Sequence, residues 1–256
     1  MVRGGRVYPR ARRMPEPIGD YLARTRSLGY SFLAVLPLFM LYALLTLAVG
    51  DRPGSLLRYG ADAILGNQTR IVRELGVVVL SVAAAIVFFA IGRGQLGRGF
   101  RRLKPIYFPL MMAEAAVLAI LLGLGLDALP RMMIVASRGV ADVPYEVMLA
   151  IGAGIFEELV FRLVLLGSLV FFFTRLRQFP IWAGYFLALL ITSMAFAVAH
   201  YFQVRKASFD GQVFLLRQLA GVAFGIIYCL RGFGVAVYTH LWYDFFVNLV
   251  CVMVVI

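Results

Sequence analysis

Long, nearly uncharged apolar runs dominate the chain and decide what it can fold into. The runs are about 18 to 26 residues long, enough for a helix to cross the hydrocarbon core of a bilayer. Short breaks rich in Arg or in turn-forming residues separate them. Because 62% of the residues are hydrophobic and only 15% are charged, an ordinary water-soluble domain is excluded. The sequence therefore predicts a helical membrane protein.

Seven of these runs are long enough to span a bilayer. The predicted fold class is all-α, a polytopic transmembrane bundle of about seven spanning helices, with six and eight as the neighbouring counts. The first 29 residues are predicted to be a basic N-terminal tail that is not a cleavable signal peptide. Residues 30–256 are predicted to form a single transmembrane domain. The predicted spans are 32–50, 75–91, 107–126, 147–172, 182–202, 213–230 and 234–255.

The basic residues follow the breaks between the runs and do not form one face of a soluble module. The net charge is +12, from 25 Lys and Arg against 13 Asp and Glu. The tail and the alternate breaks on its side carry 15 of the basic residues, and the breaks on the other side carry 9. Basic loops remain cytoplasmic, so we predict a multi-pass cell-membrane protein with a cytoplasmic N-terminus. The lipid bilayer is a predicted partner and nucleic acid is not, because no basic stripe is present.

Ionisable side chains occur inside three of the predicted spanning helices. Each such residue costs roughly 2.5–3.5 kcal/mol on insertion scales, so it should face the bundle interior or a wet cavity. The only two histidines of the chain are among them. Intramembrane ionisable residues are candidates for function by default. The candidates are Glu157, Glu158 and Arg162 in the fourth run, His200 in the fifth, and His240 and Asp244 in the seventh.

Helical spacing assigns provisional roles to these candidates. Glu158 and Arg162 are four residues apart with the acid first, which favours an ion pair on one face. Glu157 is rotated by about 100° from its neighbour, so it can point into a cavity and serve as a general base. His240 and Asp244 share a face, which suits fixing a histidine tautomer or donating to an oxyanion. A single Glu–Arg pair or a single His usually serves packing, but the combination favours catalysis.

Three short motifs lie at these residues, each on a separate predicted helix: Glu-Glu-x-x-x-Arg, Phe-x-x-x-His and His-x-x-x-Asn/Asp. In this order they resemble the CAAX protease and bacteriocin-processing (CPBP, or Abi) family of intramembrane endopeptidases, which includes the type II prenyl-protein CAAX endopeptidases. The resemblance covers the segment 147–250, and the earlier residues match only as spanning helices. The residues that carry it are Glu157, Glu158 and Arg162; Phe196 and His200; and His240 and Asp244.

The resemblance implies hydrolysis of a peptide bond within the membrane. By analogy with the family, Glu157 and His200 would activate a water molecule, with Glu158 and Arg162 in support. His240, together with residue 244, would stabilise the oxyanion. The implied substrate is a peptide or a membrane protein, and whether it must be prenylated is left open.

Two positions depart from the commoner family pattern. Leu163 stands where many relatives have Gly, which we interpret as a packing change. Asp244 stands where Asn is commoner, and an ionised Asp cannot donate to an oxyanion. Asp244 can instead orient His240 as a cation that supplies the donor. We favour a metal-free glutamate mechanism with no cofactor, because no His-Glu-x-x-His motif is present. The alternative is a zinc metalloprotease site built from Glu157, His200, His240 and Asp244.

Straight helices would place these candidates at different depths in the membrane. At about 1.5 Å per residue, Glu157 lies roughly 27 Å before Arg175, whereas His240 lies only about 9 Å past Gly234. We therefore expect the helices of Glu157 and His200 to project beyond the hydrocarbon, or the sixth helix to be tilted and short.

Two other classes of function use the same residues. One is a transporter or proton-relay protein, in which intramembrane Glu and His carry protons. The other is a catalytically idle immunity or partner protein. No internal repeat marks a transporter, and the ordered motifs favour the endopeptidase.

Overall fold

The computed structural model describes residues 16–49, 70–99, 103–126, 143–203 and 209–253. Within these ranges the chain is helical and has no strand. Eight helices occur there: α1 (Glu16–Thr25), α2 (Leu28–Val49), α3 (Arg70–Gly99), α4 (Tyr107–Gly125), α5 (Val143–Leu176), α6 (Ile181–Gln203), α7 (Gly211–Arg231) and α8 (Phe233–Met253).

The predicted all-α transmembrane bundle is confirmed, and each predicted span corresponds to one of the helices α2 to α8. Five of these helices, α2, α4, α5, α6 and α7, are long and apolar enough to cross a membrane. α3 contains a shorter apolar stretch, Ser81–Ile91. The end of the predicted basic tail is helical, as α1, whereas residues 1–15 lie outside the described ranges.

The first half of α8 lies at the centre of the bundle. Every residue from Gly232 to His240 is buried, and α8 packs against α2, α4, α5 and α7. Phe233, Val235 and Val237 contribute its apolar side chains to the main core. His240 therefore lies at the end of a continuously buried stretch, which explains how an imidazole comes to be buried there.

Gly232 turns the chain from α7 into α8, and its backbone requires glycine. Its φ is +86°, in a region that side chains with a Cβ rarely adopt. A Cβ at this position would also lie 2.7 Å from the carbonyl oxygen of Arg26. The Arg26 guanidinium in turn donates to the Cys229 carbonyl at 2.8 Å. The α7–α8 turn and the segment between α1 and α2 thus lie at the same end of the bundle.

A group of polar side chains that hydrogen-bond with one another lies at this end, and we call it the end cluster. Glu114 of α4 accepts a two-pronged hydrogen bond from Arg231 of α7, with Nη2 2.8 Å from Oε2 and Nε paired to Oε1. Glu114 also accepts from the Tyr21 hydroxyl at 2.6 Å, and Arg231 donates to Thr25 at 3.1 Å. Burial and the bond to Glu114 raise the pKa of Tyr21. The end cluster joins α1, α4 and α7.

A second set of contacts ties α1 to the segment before α4. Asp20 accepts from Lys104 Nζ at 2.8 Å, from the Tyr107 hydroxyl at 2.8 Å and from Arg24 Nε at 2.7 Å. These hydrogen bonds, with Lys104 and Arg24 first, hold the pKa of Asp20 well below its usual range. The end of the basic tail and two Arg- or Lys-containing breaks are therefore together, as the predicted alternation of loops requires.

Candidate active site

The middle of α5 departs from α-helical geometry where the polar residues lie. Ala153–Leu166 form a π-helix, in which each N–H bonds the carbonyl five residues earlier, as the Gly167 N–H does with the Arg162 carbonyl. π-Helical turns are rare and are frequent at functional sites. Gly154 begins this segment against α8, where a Cβ would lie 2.9 Å from the Val237 carbonyl oxygen. Its missing side chain lets α5 approach α8 closely, which brings the following carboxylates to His240.

Glu157 lies where two histidine rings converge. Its Oε2 is 3.3 Å from His200 Nε2 and 3.9 Å from His240 Nε2. The side chain is buried, with 6% of the residue exposed. Among the described residues, however, Oε2 has no partner with hydrogen-bond geometry. A buried acceptor is thus aimed at two ring nitrogens without being satisfied by either.

The other nitrogen of each ring is already engaged. His200 Nδ1 lies 2.9 Å from the Phe196 carbonyl oxygen, to which it can only donate. His240 Nδ1 lies 2.8 Å from Glu158 Oε1. A hydrogen bond at one ring nitrogen sets the tautomer and directs the other nitrogen. Both Nε2 atoms are consequently left facing Glu157.

Glu158 links His240 to Arg162. Glu158 is fully buried, and its Oε1 is 3.1 Å from Arg162 Nη1 in the ion pair that the sequence predicts. Arg162 is 2% exposed and also donates from Nη2 to the Gly221 carbonyl at 3.3 Å. Within the described chain, Nη1 and Glu158 Oε2 have no hydrogen bond of good geometry. The attraction in this pair is therefore mainly one of charge, in a site with little competing solvent.

Aromatic rings hold the charged groups in place. The Phe196 ring lies 4.5 Å from the Arg162 guanidinium carbon and 4.3 Å from the His200 ring. Phe224 stacks on the His240 ring at 4.4 Å, with 15° between the planes. Cations are attracted to the faces of aromatic rings, most strongly where water is excluded. Phe196, the first residue of the second motif, therefore contacts both Arg162 and His200.

Asp244 lies on the outer side of His240. Its Oδ2 is 3.6 Å from His240 Nε2, and its side chain is 26% exposed. Glu158 and not Asp244 is thus the residue that holds His240 Nδ1. Three or more His, Cys, Asp or Glu side chains arranged to hold a metal ion are not found among the described residues. Glu157 Oε2 lies 3.3 Å from His200 Nε2 and 3.9 Å from His240 Nε2, against about 3.4 Å between neighbouring ligand atoms of tetrahedral zinc. Glu157, His200, His240 and Asp244 are the residues that would hold a zinc ion if one binds.

The structure brings all six sequence-predicted site residues into one place, on three helices. We call this group the site cluster. Straight helices were expected to place these residues at different depths. The His200 ring reduces part of this difference, because it folds back along α6 onto the Phe196 carbonyl one turn earlier. Helical side chains tilt toward the N-terminus in this way. The site cluster consists of Glu157, Glu158, Arg162, His200, His240 and Asp244.

Three neighbours of the site cluster were not predicted from the sequence. The Gly221 carbonyl and the Phe224 ring hold Arg162 and His240. Both lie in the stretch 221–228, which contains two glycines and precedes the third motif, and this pattern was the available signal. Arg217 falls inside the predicted span 213–230 but was not treated as a site residue, and it lies half-buried in α7. Its place within an apolar helix was the signal in that case.

Comparison with known proteins finds a family match over the segment that contains the site cluster. The fold and the site cluster define a multi-pass membrane protein with a buried carboxylate–histidine centre. The family model "Type II CAAX prenyl endopeptidase Rce1-like" matches residues 140–246, a segment that contains the whole site cluster. No curated protein and no solved structure matches the chain. The resemblance drawn from the three motifs is confirmed, because the matched segment, residues 140–246, contains all three.

Proposed function

We propose that this protein is an intramembrane endopeptidase that hydrolyses a peptide bond with a water molecule activated by Glu157 and His200. One observation carries the proposal: the buried Glu157 Oε2 lacks a hydrogen bond among the described residues while two histidine Nε2 atoms face it. A purely structural carboxylate would be paired. An acceptor left unsatisfied beside two directed ring nitrogens suits a small polar molecule that is consumed and replaced.

In the proposed reaction, Glu157 is the general base. His200 donates from Nδ1 to Phe196, so its Nε2 is available to accept from the water and orient it. The water oxygen attacks the carbonyl carbon of the substrate as one of its protons passes to the Glu157 carboxylate. A positioned base of this kind contributes about 10²–10⁴-fold to the rate.

His240 is proposed to stabilise the oxyanion that this attack forms. Carboxylates face both of its ring nitrogens, Glu158 at Nδ1 and Asp244 at Nε2. We therefore propose that the ring is an imidazolium, whose Nε2–H turns from Asp244 to the carbonyl oxygen of the substrate. Arg162 supports this arrangement by holding Glu158 in place. Donors fixed in a water-poor site stabilise developing charge without reorganising.

Collapse of the tetrahedral intermediate breaks the carbon–nitrogen bond. The proton taken up by Glu157 passes to the departing nitrogen, and the products are a new carboxylate and a new amine. No oxidant, reductant or nucleotide is needed. We propose a peptide or membrane-protein segment as the substrate, with prenylation left for experiment to decide.

The proposal is of a metal-free reaction. Purified protein should keep its cleavage rate in EDTA, and elemental analysis should find less than stoichiometric zinc. Stoichiometric zinc whose removal abolishes cleavage and whose return restores it would assign Glu157, His200, His240 and Asp244 to a metal site instead.

We also propose that the protein lies in the cell membrane with a cytoplasmic N-terminus, on the basis of the Arg and Lys distribution. Arg177, exposed after α5, should lie on the same side as the N-terminus. A Cys placed there by Arg177→Cys should react with a membrane-impermeant thiol reagent in inverted vesicles and not in intact cells. The opposite labelling would reverse the orientation.

The proposed activity is tested by comparing membrane peptides in cells that express the wild type or Glu157→Gln. We expect a set of cleaved membrane peptides that disappears in Glu157→Gln at equal protein levels. Gradient-driven flux in proteoliposomes that is lost in Glu157→Gln, with no cleavage, would support the transporter instead. An unchanged cellular phenotype in Glu157→Ala, His200→Ala and His240→Ala would support an idle partner protein.

A further inference from the structure

Arg217 is a charged residue of α7 that the reaction above does not use. It lies six residues after Gly211, within a helix apolar enough to span the membrane. It is half-buried within the bundle. No hydrogen bond or ion pair joins Arg217 to the side chains that the structure describes.

The packing of α6 on α7 sets the level of Arg217 in the bundle. The two helices run in opposite directions, and a Cβ on Gly221 would lie 3.1 Å from Ser193 and 3.4 Å from the Phe196 ring. One turn before Gly221 is Arg217, and one turn after Phe196 is His200. Because the helices are antiparallel, both steps lead toward the same end of the bundle. Arg217 therefore lies on the His200 side of the site cluster.

This side of the site cluster is also its more open side. The side chain of His200 is 22% exposed, whereas those of Glu157 and Arg162 are 8% and 2% exposed. A peptide reaching Glu157 from outside would pass His200 first. Arg217 is thus placed where a bound substrate would extend away from the scissile bond.

Two other arginines that are buried or partly buried in described spans have carboxylate partners. Arg162 pairs with Glu158, and Arg231 pairs with Glu114. A guanidinium in a membrane helix is costly, and its planar set of donors matches a carboxylate in particular. Glu157 is not that partner, because its Oε2 faces the histidines.

We infer that Arg217 binds a carboxylate of the peptide substrate beside the scissile bond and so determines which peptides are cleaved. The inference rests on the proposed endopeptidase function. The carboxylate has two sources, the C-terminus of the substrate or an acidic side chain near the cleaved bond. Both present the same chemistry to the guanidinium, and matched peptides distinguish them.

The test uses the full chain in lipid nanodiscs and pools of short peptides of mixed sequence. One pool has free C-termini, a second is amidated, and a third has Asn and Gln in place of Asp and Glu. Cleavage is measured for the wild type, Arg217→Gln and Arg217→Lys. Arg177→Gln is the matched control, because it removes an exposed Arg at the other end of α5 and α6.

We expect the wild type and Arg177→Gln to prefer one carboxylate-bearing pool by about 10-fold to 100-fold in kcat/KM, the range of a charged hydrogen bond. Arg217→Gln should lose this preference, mainly through a higher KM for the preferred pool. It should still cleave the pool that lacks the recognised carboxylate. Arg217→Lys should keep part of it. The pool that loses cleavage in the wild type, amidated or Asn/Gln-substituted, identifies the source of the carboxylate.

Equal cleavage of all pools by the wild type would overturn the inference. An equal loss on every pool in Arg217→Gln would also overturn it, since Arg217 would then serve charge balance or folding. A binding measurement separates the inference from the proposed function. Carboxylate-dependent peptide binding to Glu157→Gln that Arg217→Gln abolishes supports the inference even if the wild type cleaves nothing, and its absence rejects the inference.

Discussion

The end cluster and the site cluster are both built from carboxylates and arginines between membrane helices, but they differ in how completely they are paired. In the end cluster, both oxygens of Glu114 accept hydrogen bonds from Arg231, and one also accepts from Tyr21. In the site cluster, Glu157 Oε2 has no such bond within the described chain. Buried polar groups are normally satisfied, so a helix bundle has no structural reason to leave Glu157 this way. We therefore interpret the end cluster as a contact that holds helices together, and the site cluster as a site that acts on another molecule.

Among the variants that should lower both activity and stability, Glu158→Gln has the largest expected effect, since Glu158 contacts both Arg162 and His240. It leaves the buried Arg162 without its counter-charge and gives His240 Nδ1 a neutral partner. We expect cleavage to fall by at least about 100-fold and the free energy of unfolding to fall by roughly 3 kcal/mol. Steady-state cleavage and denaturation in nanodiscs measure the two losses. Val160→Ala, on the exposed side of the same π-helix, is the control and should change neither.

Gly154→Ala should lower cleavage by altering position alone. The added methyl group would meet the Val237 carbonyl at 2.9 Å and Leu241 at 3.2 Å, so α5 must move away from α8. We expect cleavage to fall about 10-fold or more, with a stability loss of roughly 1–3 kcal/mol. The control is Gly125→Ala, since a Cβ there has nothing within 4 Å. Equal activity of the two variants would show that close α5–α8 packing is not required.

Glu114→Gln should lower the stability of the protein and leave its catalytic rate unchanged. An amide cannot accept the paired bonds of Arg231 at both positions, so a partly buried guanidinium loses a partner. We expect the free energy of unfolding to fall by about 1–3 kcal/mol. Cleavage per folded molecule should be unchanged, as measured by titrating folded protein alongside the rate. A rate loss that persists after this correction would remove the distinction between the two clusters.

The smallest expected effect concerns pH and α1. The pKa of Asp20 is lowered in the folded protein, so its contribution to stability is present above the unfolded value of about 3.9. This contribution is lost only as the pH falls through the lower, folded-state pKa. We expect protease sensitivity of α1 to rise in acid well below pH 4, and Asp20→Asn to raise it slightly at neutral pH. The change should be under about 1 kcal/mol, because Asp20 is partly exposed.

Hydropathy predicts most of the fold, because in a helical membrane protein only long apolar helices are stable across the hydrocarbon core. Spacing and motif order likewise predict the site cluster, since three helices carry ionisable residues that lipid would exclude. The partner of His240 was not predictable in this way. An Asp four residues along the same helix was the local choice, whereas the structure supplies Glu158 from α5. Contacts between helices depend on how closely they pack, and that closeness is set by single residues such as Gly154.

Arg217 shows the same limit from another direction. The predicted span 213–230 includes it, but its charge was counted with the basic break before that span, and it was not treated as a candidate for the site. In the structure it lies in α7 on the His200 side of the site cluster. That position depends on how α6 packs against α7, which the spacing of residues along one helix does not reveal.

The most direct test is the stability of Glu157→Gln, measured together with its cleavage rate in nanodiscs. If Glu157 is left without a hydrogen bond because the reaction uses its carboxylate, replacing that carboxylate with a neutral amide should lower the cleavage rate by about 10³-fold or more. The unfolding temperature should then stay at or above that of the wild type, because an incompletely paired buried charge has been removed. A variant that still cleaves, or one that unfolds as readily as Glu114→Gln, would contradict the account.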